Sequence, residues 1–326
     1  MADTTIEPAR PEDIDADEFE AKEIDASSFA DSTSVTSSIY QHSYENGRRY
    51  HSYKNARYPI PNDDEEQNRE DMKHALMMEL TDGKLYFAPI EKNPTKILDL
   101  GTGTGIWAIE VADQHPSAEV TGVDFTPIQP NWAPPNLKFV VDDVEQEWNY
   151  GPEYDLVHFR QVFPVLKNHA VVLKQAYDSL KPGGWIEIQE LGGAARCDDG
   201  SVPKEYSVHT FLDLCQQALS KFGSNFRIGN ELEEPLKNAG FVNVSAKRLK
   251  VPIGTWPRDK RLRLVGLYFK IVLAQLVRPM AAKPFPALGM SKEEIDGLVA
   301  RVEKDLANTG YHSYFEYIFW TGQKPE

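Results

Sequence analysis

Between residues 95 and 190, short apolar runs alternate with longer stretches whose apolar positions recur every three or four residues. The runs at 96–100, 119–124, 137–141, 154–160 and 185–190 predict strands buried on both faces. The stretches at 106–114 and 169–180 predict helices, the second stopped by Lys181-Pro182-Gly183-Gly184. Strands spaced by helices imply βαβ units, a parallel sheet and right-handed crossovers. After residue 190 the pattern turns more helical, at 204–222, 231–239, 258–277 and 292–308, with strands at 241–251 and 311–322. The breaks near 191–230 and 252–310 predict helical insertions beside the main sheet. Upstream, 62–81 predicts a helix capped by Asn62, with Met72, Ala75, Leu76 and Leu80 at helical spacing.

Before that helix the pattern fails. Residues 1–38 are mostly Asp, Glu, Ser, Thr and Ala, too polar to offset chain entropy, and predict a disordered acidic tail. Residues 39–94 read as an arm and helix, and 95–326 as the main domain. The arm interleaves Tyr40, Tyr44, Tyr50, Tyr53 and Tyr58 with basic residues such as Arg48, Arg49 and Lys54. Such a pattern suits single-stranded nucleic acid or an arm packed over a site. Charge favours the second. The chain has 35 basic and 50 acidic residues, a net −15. Eleven acidic and two basic residues lie before Ser32, so the tail carries −9 and the rest −6. Direct binding to nucleic acid or to an anionic membrane is not expected.

No basic and then apolar leader follows Met1. The apolar stretch 262–277 is broken by Arg263, Gly266, Lys270 and Gln275, too short and interrupted for a bilayer. Cys197 and Cys215 have no disulfide-framework or metal-site spacing. The expected location is the cytoplasm, with the nucleus as the alternative.

Chemistry concentrates in Ile97-Leu98-Asp99-Leu100-Gly101-Thr102-Gly103-Thr104-Gly105-Ile106. An apolar strand, an acid and alternate glycines lead into a helix. The glycines allow a sharp turn and close approach of a ligand, and the helix start offers free N–H groups. The dinucleotide fingerprint G-x-G-x-x-G does not fit, because the third glycine comes one residue early. A carboxylate at Asp99 repels a pyrophosphate and attracts a cation. S-adenosylmethionine, with an α-ammonium, a sulfonium and a ribose, answers that description. Asp124 ends the second strand 23 residues after Gly101, where an acid accepts ribose hydroxyls. Asp142 and Asp143 end the third, where one can bond the adenine amino group while the other caps the next turn.

The run from Ile97 to Gly105, with Val123-Asp124 and Lys181-Pro182-Gly183-Gly184-Trp185, resembles the class I S-adenosylmethionine-dependent methyltransferases. Further segments resemble their LaeA-like fungal branch, linked to secondary metabolism. These include Gly47-Arg48-Arg49-Tyr50-His51, Pro61-Asn62-Asp63-Asp64-Glu65, Ile128-Gln129-Pro130 and Gly254-Thr255-Trp256-Pro257. The resemblance implies a doubly wound, mostly parallel, seven-stranded Rossmann-like α/β sheet. It places Asp99, Gly101, Thr102, Gly103 and Gly105 at the methionine end of the cofactor and Asp124 at the ribose. It puts Phe125, Ile128, Asp142 and Asp143 toward the adenine, and Phe159 and Tyr50 against the cofactor. No metal is implied.

Two residues are candidates for taking a proton from the methyl acceptor: His158, beside the expected methyl position, and Glu190, at the end of the fifth strand. For each, a purely structural role is the rival. Val162-Phe163-Pro164-Val165-Leu166-Lys167-Asn168 departs from the turn common in relatives and implies an altered acceptor wall. Trp256 reads as a pocket wall or a loop anchor. The favoured function is methylation of O or N on a small molecule in fungal secondary metabolism. The alternatives are a LaeA-like regulator acting through protein partners and a non-methylating enzyme on the same fold. The intact glycine motif counts against the last, and the lack of a basic import cluster favours the first over the second.

Overall fold

The computed structural model describes residues 5–10, 13, 42–45, 48–51 and 61–326. A hairpin of β1 (His42–Glu45) and β2 (Arg48–His51) precedes α1 (Asp64–Thr81). The main sheet then grows from β3 (Lys96–Leu100), β4 (Glu119–Asp124), β5 (Leu137–Val141), β6 (Tyr154–Arg160) and β7 (Leu180–Cys197), with α2 (Ile106–Gln114) and α3 (His169–Ser179) as crossovers. It closes with β8 (Val242–Pro252) and β9 (Ser313–Gln323). The order is β5-β4-β3-β6-β7-β9-β8, seven strands. β3 to β7 pair in parallel, and β9 runs antiparallel between β7 and β8. The seven-stranded, mostly parallel α/β expectation therefore holds.

Alternation along each strand feeds two helical layers. Ile97, Val120 and Leu156 pack with Trp107, Ala108 and Val111 of α2. Leu98, Val157 and Phe159 pack with Val172, Leu173 and Ala176 of α3. A further apolar cluster joins α1, α4 (Ser207–Ser220), α6 (Lys260–Ala282), α7 (Lys292–Ala307) and the far ends of β7 and β9. Two of these helices, α6 and α7, and the loops beside them make up the predicted second insertion. A short α5 (Glu233–Asn238) returns the chain to β8. α6 is long and apolar enough to cross a bilayer, yet it buries Val265, Phe269 and Val272 in the core and encloses Arg263.

Three boundaries differ from expectation. β7 runs past residue 190 to Cys197, because β9 pairs along it on both sides of an irregular step at Leu191–Ala195. The cap of α1 is Asp63, whose carboxylate accepts the Glu66 N–H (3.1 Å), not Asn62. The acidic tail is not wholly unstructured. Ala9 N–H donates to the Trp256 carbonyl (2.7 Å), Arg258 N–H donates to the Glu7 carbonyl (2.8 Å), and Arg263 reaches the Asp13 carbonyl (3.2 Å). Composition hides these contacts because they use backbone and charge, not apolar burial. The rest of residues 1–38 lies outside the described residues.

Candidate functional site

The strand order reverses between β3 and β6, the place where open α/β sheets bind ligands beyond the carboxyl ends of their strands. The glycine loop sits there. Gly101 and Thr102 N–H groups both donate to the Val123 carbonyl (2.8 and 2.9 Å), which folds the loop onto β4. Gly101, Gly103 and Gly105 have φ of +74°, +58° and +83°, values that glycine adopts freely. A Cβ on Gly101 would stand 2.3 Å from Val162 Cγ2, and one on Gly105 2.5 Å from the Phe139 ring. A Cβ on Gly103 would meet nothing within 4 Å. That glycine borders open space.

The space is a cavity of about 350 Å³. One end is lined by Gly101, Gly103, Asp124, Phe125, Ile128 and the pair Asp142 and Asp143. The middle is lined by Glu190, Arg160, Gln161 and Lys73, and the far end by apolar side chains of α4 and α6. Asp124 accepts N–H bonds from Gly103 and Thr126 (2.8 Å each), which fix its carboxylate at the tip of β4. Burial pushes it up to about 6 despite those bonds. Asp143 accepts the Glu145 N–H (3.1 Å) and so caps the turn. Asp142 is held by the Tyr150 hydroxyl (2.9 Å).

Glu190 is fully buried. Its Oε1 accepts N–H bonds from Val162 (2.9 Å) and Phe163 (3.0 Å), while Oε2 has no hydrogen-bond partner among the described residues. Burial pushes its carboxyl up to about 8. Gln161, next to it, adopts φ +57°, a conformation side chains rarely take and one that recurs at functional sites. Over this region lies α1 with a row of buried charge: Glu66, Arg69 and Lys73, with Glu70 half-buried beside them. Glu70 pairs with both Lys73 and Arg69. Burial alone would raise Glu70, but those two cations outweigh it and hold it at about 2.

A family described as a methyltransferase domain matches residues 68–246, more than half of the chain. The chain is 36% identical over 324 residues to the methyltransferase pytC of Aspergillus terreus, covering 99% of this chain and 98% of that one. The chain belongs to the methyltransferases. It is also 31% identical to the secondary metabolism regulator LAE1 of Cochliobolus heterostrophus, over 86% of this chain and 94% of that one. Among solved structures, a phosphoethanolamine N-methyltransferase 2 of Haemonchus contortus, in complex with S-adenosylhomocysteine, shows a distant likeness. Its TM-score is 0.45 and its identity 19%, covering 78% of this chain and 53% of that one.

The cofactor of this methyltransferase is S-adenosylmethionine, and the residues at the glycine-loop end of the cavity fit it. The open space at Gly103 admits a ligand against the backbone, and Asp124 stands at the strand tip beside it.

Several residues expected to touch the cofactor do not reach the cavity. Asp99 is buried behind the loop with both oxygens engaged. Thr102 Oγ1 donates to Oδ2 (2.6 Å), and His158 Nδ1 lies 2.7 Å from Oδ1. Asp99 therefore draws its cation or donor from within the protein. Parallel pairing makes Asp99 and His158 direct neighbours across β3 and β6. His158 is itself fully buried and stacked on Trp107, with ring centroids 3.6 Å apart. It is a positioning residue, and its expected role as proton acceptor is withdrawn. Phe159 points to the other face and packs on Phe163 in the core. Gly105 begins α2, and Thr102 serves Asp99. The side chain of Tyr50 lies outside the described residues. Trp256 anchors its loop through Nε1 to the Ser313 carbonyl (3.1 Å).

The charged row of α1 escapes a sequence reading because Glu66, Arg69, Glu70 and Lys73, spaced three and four apart, look like a solvated face. Arg160 also serves a hidden purpose. Its Nη1 donates to His74 Nδ1 (3.0 Å), which leaves His74 Nε2 3.1 Å from Glu110. Burial, then the Arg160 charge, hold His74 neutral at about 3. The departure at Val162-Phe163-Pro164-Val165-Leu166 does face the site: Val162, Pro164, Val165 and Leu166 line the cavity.

Proposed function

We propose that this methyltransferase modifies an oxygen or nitrogen of a small molecule in fungal secondary metabolism. The reading is carried by the continuity of the cavity, whose lining includes the glycine loop, Glu190 and the apolar side chains of α4 and α6. A concave, mostly apolar cavity with a few polar groups beside the cofactor suits a small molecule.

Gly101 and Gly103 hold the methionine end of the cofactor, Asp124 the ribose, and Phe125, Ile128, Asp142 and Asp143 the adenine side. When bound, S-adenosylmethionine supplies an electrophilic methyl group on a positively charged sulfur. The chain's own task is alignment and shelter, which provide much of the rate in such displacements. The α1 roof and the apolar helices exclude water. Glu190 Oε2 is the atom that holds a proton released by the acceptor. The tested outcome is binding of S-adenosylmethionine and its demethylated product in a calorimeter, with NAD inert. Radiolabel from the cofactor should then enter the organic-extractable fraction of fungal metabolites.

A second reading rests on the relatives named as regulators. It requires the label to enter protein, or no label transfer despite cofactor binding, and the same experiment separates the two.

A further inference from the structure

The chamber beyond Glu190 is lined by Phe211, Leu212 and Cys215 of α4 and by Leu273, Leu276 and Met280 of α6. Burial pushes the Cys215 thiol up, so it stays a neutral, apolar surface. No charged side chain from these two helices enters the lining. A molecule filling the chamber must be apolar over most of its surface, since a buried charge without a partner is costly.

The polar groups gather at the neck between chamber and cofactor. Glu190 Oε2 is buried, lacks a partner among the described residues, and belongs to a residue that borders the cavity. A buried acceptor left unpaired costs free energy, so it calls for a donor from the ligand. Glu66, Arg69, Glu70, Lys73 and Arg160 border the same neck. Arg69 pairs with Glu66 and Lys73 with Glu70, whereas Arg160 bonds the neutral His74 and has no ion pair to a carboxylate among the described residues. The Arg160 charge disfavours an ammonium head and favours a neutral hydroxyl, or the oxyanion it becomes on losing its proton.

We infer that the chamber takes an apolar, ring-sized acceptor with one hydroxyl, whose O–H donates to Glu190 Oε2, so that oxygen is the methylated atom. This rests on the methyl-transfer reading and narrows it from oxygen or nitrogen to oxygen. Glu190 contributes by position: its Oε1 is fixed by two backbone N–H groups, which aim Oε2 at the neck.

The experiment measures equilibrium binding by fluorescence on the full chain saturated with S-adenosylhomocysteine, in mildly alkaline buffer where Glu190 is ionised. The probes are 2-naphthol, naphthalene, 2-methoxynaphthalene and 2-(aminomethyl)naphthalene. 2-Naphthol should bind about tenfold tighter than each of the others, the worth of a hydrogen bond to a charged group. Glu190→Gln, which keeps an oxygen for the Val162 and Phe163 N–H groups but turns a donor toward the neck, should erase the preference for 2-naphthol over 2-methoxynaphthalene. Leu276→Arg, in the chamber wall, should weaken all the neutral probes while S-adenosylhomocysteine still binds. Equal binding of 2-naphthol and naphthalene, tighter binding of the amine, or no binding of any probe would each overturn the inference. Failure of S-adenosylhomocysteine to bind, measured separately by calorimetry, would instead overturn the methyl-transfer reading.

Discussion

Gly101 and Gly103 stand two residues apart and face opposite consequences. At Gly101 a methyl group meets Val162 at 2.3 Å, so Gly101→Ala should cost about 1–3 kcal/mol of stability, read as a lower Tm. At Gly103 the same methyl enters open cavity, so Gly103→Ala meets no clash, costs only the strain of φ +58°, about 1 kcal/mol, and should fold yet weaken S-adenosylmethionine binding in calorimetry. His158→Leu leaves Asp99 Oδ1 buried without its partner. It should cost about 1–3 kcal/mol in stability while leaving the pH profile of methyl transfer in place. A titrating His158 in contact with the acceptor predicts a lost alkaline or acid limb instead. Glu190 makes the pH prediction. Its folded value of about 8 exceeds the ordinary 4.5, so the folded chain keeps a proton the unfolded chain releases, and stability falls as pH rises between them. His74 works the other way, adding stability with rising pH from about 3 up to its ordinary 6.5. Above 6.5 and up to about 8 the fall from Glu190 is no longer opposed by His74. The ligand-free protein should lose up to about 2 kcal/mol across that interval. Calorimetric scans of Glu190→Gln should show a flatter profile there.

At the scale of elements, α1 decides how the site is roofed. Its cap, Asp63, also receives Arg48 Nε (2.6 Å) and Nη2 (2.8 Å), which ties the hairpin to the helix start at the cavity rim. Asp63→Ala removes cap and anchor together and should cost more Tm than Arg48→Ala, which removes the anchor alone; capping is worth about 1 kcal/mol. The strands of the sheet were legible in sequence because burial on both faces leaves short apolar runs with abrupt ends. The helix α2 was legible through the glycine loop before it. The face of α1 was not, since Lys73 is buried in an ion pair with the half-buried Glu70, and spacing shows charge but not what covers it. The extent of β7 was hidden for a different reason. The pattern breaks near 191, whereas pairing with β9 resumes at Ala195. His158 was misplaced because its position at a strand end says nothing of which face it takes; the Asp99 register decides that.

The whole molecule binds distant parts of its chain together. Residues near the N-terminus lie along the segment at 256–258, with Pro8 bridging Pro257 and Glu7 paired to Arg258 (3.2 Å). Deleting residues 1–13 should therefore lower Tm by roughly 1–2 °C, the shift expected from about 1 kcal/mol in a chain of this size, without changing cofactor affinity. An unchanged Tm would mean these contacts carry no net energy. The cavity has its own long-range logic. Among the described residues, the lining falls into a block from Gly101 to Glu145 and a block from Glu190 to Phe315, joined by the stretch at 160–166 and by residues 61–73. On the proposed function, a gene for this protein thus stores donor and acceptor recognition in separate blocks. Recombination or drift downstream of Glu190 changes what receives the methyl group and leaves its supply intact. Lineages built on such a plan can acquire new products one half of a gene at a time.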